Sequence, residues 1–181
     1  AGEIPSSFNK LSKLQTLFLE KNSFTHLPDL SGLNNLSLVD VGSNFLTFED
    51  LEPNINIPNF SYQAQKVRDR VSILGDLHQD IVLDEVVGGT QNLYQWFKED
   101  QALTSLVSQS SFTLSNPNFA DIGVYRVDVS SNLVNNLVLS YEFGVKIKPE
   151  IAVVPTPEPY CYGDTVIVLT SESGRDGRAH V

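Results

Sequence analysis

A chain of 181 residues has room for one large domain or two small ones, and an apolar content of 41% excludes wholesale disorder. A formal net charge of −10, spread along the chain and not gathered in a tail, disfavours nucleic acid and anionic membrane surfaces as partners. The single cysteine, Cys161, excludes a disulfide within these residues and is either free or paired with a segment outside them.

The first predicted elements form a repeat. "LQTLFLEKNSF" at 14–24 and "LSLVDVGSNFL" at 36–46 superpose with an offset of 22. Leu14, Leu17, Leu19, Asn22 and Phe24 fall on Leu36, Val39, Val41, Asn44 and Leu46, with Phe8 on Leu30 and Leu11 on Leu33. Leu17 and Leu19 alternate around Phe18, which predicts a short strand with one buried face. The pattern L-x-x-L-x-L-x-x-N-x-L resembles the leucine-rich repeat family over residues 1–53, and "GEIPSSFNKLSKL" resembles the convex half of a preceding repeat. The resemblance implies a solenoid fragment of parallel strands, with Asn22 and Asn44 bonding backbone of neighbouring coils through an amide that both donates and accepts.

In that family ligands meet the solvent-facing strand positions, here Thr16, Phe18 and Glu20, then Leu38, Asp40 and Gly42. Phe18 and Leu38 are expected side by side, either as a contact site or as apolar residues that pack on a neighbouring domain or mean nothing. So few repeats cannot bury a core alone, so either further repeats lie upstream or the next domain caps them.

"EPNINIPNF" breaks the period, and 54–66 reads as a junction. Over 67–148, apolar runs such as "DIVLDEVV", "LYQWFK", "GVYRVDVS" and "LVLSYEFGVKI" alternate with turn signals, which predicts an all-β sandwich. Trp96 in "YQWFKEDQAL" lies 29 residues before Tyr125 in "NFADIGVYRVDVSSN". The first string resembles the strand C hairpin of I-set-like immunoglobulin domains. The second resembles their E–F corner, with Asp121, Gly123 and Tyr125 matching. Val127 stands where such domains place a strand F cysteine, and strand B has none. Its alternation puts Ile81, Leu83 and Val87 inside; Glu85 on the same face is either at an edge or a sign that the register is shifted by one.

"KPEIAVVPTPEPY" predicts a Pro-rich linker over 149–159, and "YCYGDTVIVLTSES" predicts the truncated start of another β domain over 160–181. The opening "AGEIPSSF" reads as the middle of a longer chain, so the lack of a signal peptide is uninformative. The whole combination resembles large secreted or surface multidomain proteins of Bacteroidetes-type bacteria, which implies an extracellular setting.

No catalytic motif, P-loop or dinucleotide fingerprint occurs. His26, His78 and His180 lie in three different regions. Asp76, His78 and Asp80, or Asp84, Glu85 and Asp121, were they gathered, have the chemistry of a metal site. Solvated loop positions are the expectation, with no metal, no cofactor and no enzyme activity. The function expected is a recognition or adhesion module whose repeats bind a protein or glycan, with no nucleic acid and no membrane insertion in this segment. The alternatives are a structural spacer or an accessory region of a larger secreted enzyme.

Overall fold

The computed structural model describes residues 2–149, 152–154 and 168–170. Cys161, His180 and most of the expected linker (149–159) and further β domain (160–181) lie outside the described residues. In that region β13 (Ala152–Val154) pairs antiparallel with β14 (Val168–Thr170).

The front of the chain winds into stacked turns. Its elements are β1 (Gly2–Glu3), β2 (Thr16–Phe18), β3 (Phe24–His26), β4 (Leu38–Asp40), α1 (Phe48–Leu51) and β5 (Phe60–Ser61). Strands β2, β4 and β5 form a parallel sheet, in which Leu17 lies beside Val39 and Val39 beside Phe60. Because side chains alternate along a strand, Leu17 and Val39 are buried while Phe18 and Leu38 face out. A second parallel ladder joins β1 to β3.

The turn after each strand is the same. Lys21, Ser43 and Ala64 all take a left-handed backbone, with φ of 56°, 57° and 57°. Lys21 donates its N–H to the Gly42 carbonyl at 2.9 Å, and Ser43 donates to Gln63 at 3.0 Å. Two side chains stitch the turns. Buried Asn44 donates to the Leu19 carbonyl of the turn before (2.8 Å) and to Val41 of its own (3.0 Å), and accepts the Phe24 N–H (3.0 Å). Gln65 repeats this one turn later: it donates to Val41 (2.9 Å) and Tyr62 (2.9 Å), and accepts the Leu46 N–H (3.1 Å). The stretch read as a junction, 54–66, thus carries a third turn. The period persists there at 21 residues from Asp40 to Ser61, under a sequence whose prolines and asparagines hid it.

On the far side of the turns, Asp50 and Asn54 satisfy backbone that would otherwise be buried and unpaired. Asp50 accepts the Leu27 and Thr47 N–H groups and bonds His26 Nδ1 at 2.8 Å. Asn54 accepts from Leu30 and donates to Pro28 and Asp50.

The rest of the described chain is a sandwich. Its strands are β6 (Val71–Asp76), β7 (Ile81–Asp84), β8 (Asn92–Lys98), β9 (Gln101–Ala102), β10 (Ser111–Leu114), β11 (Gly123–Ser131) and β12 (Leu139–Lys148). One sheet runs β6-β12-β11-β8-β9 and the other pairs β7 with β10. All contacts are antiparallel except β6 with β12. A mostly antiparallel five-stranded sheet facing a two-stranded one, with strands from both halves of the sequence interleaved, is an immunoglobulin-like arrangement.

The register of β7 is as the alternation predicts: Ile81, Leu83 and Val87 are buried. Glu85 shares their parity at the seam of the sandwich, where it forms an ion pair with Arg68.

Coils and sandwich are joined, not merely linked. The Glu52 carboxylate accepts the Thr90 N–H (3.0 and 2.9 Å), the Thr90 hydroxyl (2.9 Å) and the Ser131 hydroxyl (3.3 Å). The Glu49 N–H donates to the Gly88 carbonyl at 3.2 Å, and the Tyr62 hydroxyl donates to the Asn135 carbonyl at 2.9 Å. Gly89 has φ +131°, and a Cβ there would stand 2.7 Å from Phe48 Cβ, so only glycine fits. The buried apolar residues form one cluster from Ile4 to Ile147. The sandwich packs on the last of the turns.

Candidate binding face

The outward positions of the parallel sheet line up in rows set by its register. Thr16 lies beside Leu38, and Phe18 beside Asp40, which lies beside Ser61. Phe18 is 60% exposed and Leu38 37%, while Thr16 and Glu20 are exposed and Asp40 is half-buried. Phe18 and Leu38 share the face but are not direct neighbours. Equivalent residues pair across parallel strands, so the two are diagonal, offset by two residues.

Two predicted face positions are partly committed to the backbone. Asp40 Oδ1 accepts the Gly42 N–H at 2.9 Å. Gly42, expected to face solvent, is buried, because the Gln63 backbone passes over it: a Cβ at Gly42 would lie 3.0 Å from the Gln63 carbonyl oxygen. Asn59 and Ser61 extend the exposed face by one strand, with Asn59 donating to the Ser37 carbonyl at 3.0 Å. The signal for them was the 21-residue step from Asp40 to Ser61, which the broken leucine pattern concealed.

The residues expected to serve the fold sit as follows. Exposed Asn22 donates to Leu19 and Glu20 of its own turn, each at 3.1 Å. Asn44 spans two turns. Trp96 is fully buried, registers with Val127 on the next strand, and packs on Phe112 and Phe143 with ring centres 5.9 and 5.5 Å away. The Tyr125 hydroxyl donates to the Asp121 carbonyl at 2.9 Å. Burial, and secondarily the Asp121 charge, push its pKa up to about 12. Asp121 accepts the Asn118 N–H, and Asn118 in turn accepts from Ala120, which closes the corner. Gly123 has φ +154°.

The acidic candidates do not converge. Asp76 pairs with Lys148 at 3.0 Å, while His78 bonds Asn116 and Asp80 accepts the Asn116 N–H. Asp84 accepts the Ser110 hydroxyl, Glu85 pairs with Arg68, and Asp121 belongs to the corner. Among the described residues no group of three His, Cys, Asp or Glu side chains is placed to hold a metal ion. Nor, among those residues, is any helix long and apolar enough to cross a membrane.

No family model and no curated protein matches the chain. Among solved structures it is similar to Sidekick-1 immunoglobulin domains 1–5, with 15% identity, a TM-score of 0.40, and coverage of 49% of this chain and 19% of that one. It is similar to the N-terminal eight immunoglobulin domains of Down Syndrome Cell Adhesion Molecule isoform 1.30.30, with 12% identity, a TM-score of 0.38, and coverage of 51% and 14%. The second Ig-C2 domain of human Fc-receptor like A is matched at 13% identity and a TM-score of 0.35, over 41% of this chain and 84% of that one. The sandwich is immunoglobulin-like by its own strand order, its buried Trp96 and its Tyr125 corner.

Proposed function

We propose that the chain is a non-catalytic extracellular recognition or adhesion module. In this reading residues 1–53, continued by the third turn to Lys66, are a leucine-rich-repeat solenoid fragment that binds a protein or glycan through Thr16, Phe18, Glu20, Leu38 and Asp40. The immunoglobulin-like domain, 67–148, is its support and cap. The observation that carries the reading is Phe18: a large aromatic side chain, 60% exposed, on a sheet held rigid from behind by Asn44 and a buried core. Aromatic side chains held in place bury much area at little entropic cost, which suits them to anchor a ligand. The polar neighbours Thr16, Glu20, Asp40 and Ser61 supply donors and acceptors around it.

The spacer reading has one observation in its favour, the Glu52 joint, which bonds the two units to each other. The two readings separate on an array of proteins and glycans probed with residues 1–149 and with the Phe18→Ser, Leu38→Ser double variant. The recognition reading expects ligands retained by the native chain and lost by the variant. Equal retention, or none by either, would favour the spacer.

A further inference from the structure

The connector between coils and sandwich, residues 67–70, is fastened by side chains. The last turn ends where the Lys66 N–H donates to the Asn44 carbonyl at 2.6 Å, and β6 begins at Val71. Between them, among the described residues, no N–H or carbonyl of Val67, Arg68 or Asp69 bonds to other backbone. Holding a segment in one conformation costs entropy at each residue, and here no ladder offsets it.

Three side chains hold it instead. Val67 packs on the buried cluster. Arg70 donates to the Glu142 carboxylate at 2.8 and 2.6 Å, but both groups are exposed, where water weakens such a pair. Arg68 is the central fastening. Its guanidinium lies 4.9 Å from the Phe143 ring centre and 5.4 Å from that of Tyr141, and donates to the Asp69 and Glu142 carbonyls and to the Glu85 carboxylate. Of these contacts only the last is removed by a proton. The Glu85 side chain is 12% exposed and that of Arg68 33%, so the arginine has a way out to water and the carboxylate has not.

The groups around Glu85 are Arg68, neighbouring Asp84, and Tyr141 on β12 with Tyr94 behind it, so Arg68 is its one cation among them. Glu142 faces Arg70 and, across the ladder, Arg126. Burial and the Asp84 charge, against the pull of Arg68, let Glu85 take up a proton in milder acid than an exposed glutamate needs.

We propose that residues 67–70 are a strap latched by the Arg68–Glu85 pair, and that mild acid opens the latch while coils and sandwich stay folded. A proton on Glu85 removes the charge that draws Arg68 in. It also relieves a desolvated carboxylate, so the strap loosens without weakening the sandwich. The bonds of Glu52 to Thr90 and of Tyr62 to Asn135 do not pass through the strap and still join the two units.

The test is NMR of the full chain from about pH 7.5 to about pH 4.5, with the Glu85 carboxyl carbon reading its proton and backbone 15N relaxation reading fast motion at 67–69. Motion at 67–69 is expected to rise as Glu85 titrates, with a midpoint above the ordinary glutamate value of about 4.3, while β8 and β11 stay rigid. Glu142→Gln is expected to leave that midpoint in place. Glu85→Gln is expected to have a mobile strap at neutral pH, to melt no lower than the native chain, and to be cut by trypsin after Arg68 at least about threefold faster. The titration of the native chain decides the matter if that variant fails to fold. A strap that stays rigid while Glu85 titrates, motion that rises only together with β8 and β11, or a folded Glu85→Gln chain cut no faster than the native one would each overturn the proposal.

Discussion

Asn44 and Trp96 show what single side chains do here. Asn44 joins the Leu19 carbonyl and the Phe24 N–H through one amide group. Asn44→Ala leaves the part-buried Phe24 N–H unpaired and the Leu19 carbonyl with Asn22 alone, and is expected to cost about 1–3 kcal/mol. Asn22→Ala, which touches only its own exposed turn, is expected to cost less, and urea melts of the two variants compare them directly. Trp96→Ala opens a cavity between Phe112 and Phe143, and is expected to cost about 3–5 kcal/mol. A sandwich without a disulfide has little margin for that loss, so calorimetry should show the melt lowered steeply or abolished.

Glu85 gives a pH signature. Burial, the largest cause, and neighbouring Asp84 push its pKa up, against the opposing pull of Arg68. A carboxyl with a raised folded pKa keeps its proton in the folded state at pH values where the unfolded chain has lost it. Its contribution to stability is therefore greatest in acid. It falls as pH rises from the ordinary glutamate value, about 4.3, through the raised one. Glu85→Gln should gain on the native chain across that window and track it elsewhere. A difference that does not vary with pH would argue against a desolvated carboxylate.

Among the elements, legibility followed how local the determinants are. β2 and β4 were readable because leucine spacing and strand alternation both lie within eleven residues. Strand β11, its corner and the Trp96 partner were readable because an immunoglobulin-like core needs bulky residues at fixed steps. The third turn was not: Gln65 does the work of Asn44 with a longer side chain, and Phe60 replaces a leucine, so the motif failed while the geometry held. The two-residue ladder between β1 and β3 was too short to leave a pattern. Relief of the Glu85 conflict was hidden because Arg68 lies 17 residues away, on a segment that reads as a loop.

The joint belongs to the whole molecule, and nothing in one stretch of sequence announces it. Glu52, Thr90, Ser131, Gly89, Tyr62 and Asn135 meet only after both units are folded. Because the buried cluster runs through it, coils and sandwich are expected to melt as one unit. Gly89→Val, which drives a side chain into Phe48 from a backbone that valine avoids, should split that transition in two or lower it. A single transition near the native temperature would mean that the contact is dispensable.

The same rigidity gives the proposed binding face its purpose: three strands fixed against one another and against a capped core, with Phe18 standing out from them. Hydrogen exchange of the native chain, with and without a ligand drawn from the protein and glycan array, reads that face most directly. The account expects protection at Thr16–Phe18 and Leu38–Asp40, extending to Asn59–Ser61, with the outer faces of the sandwich unchanged. Protection confined to the sandwich, with the parallel sheet untouched, would contradict it.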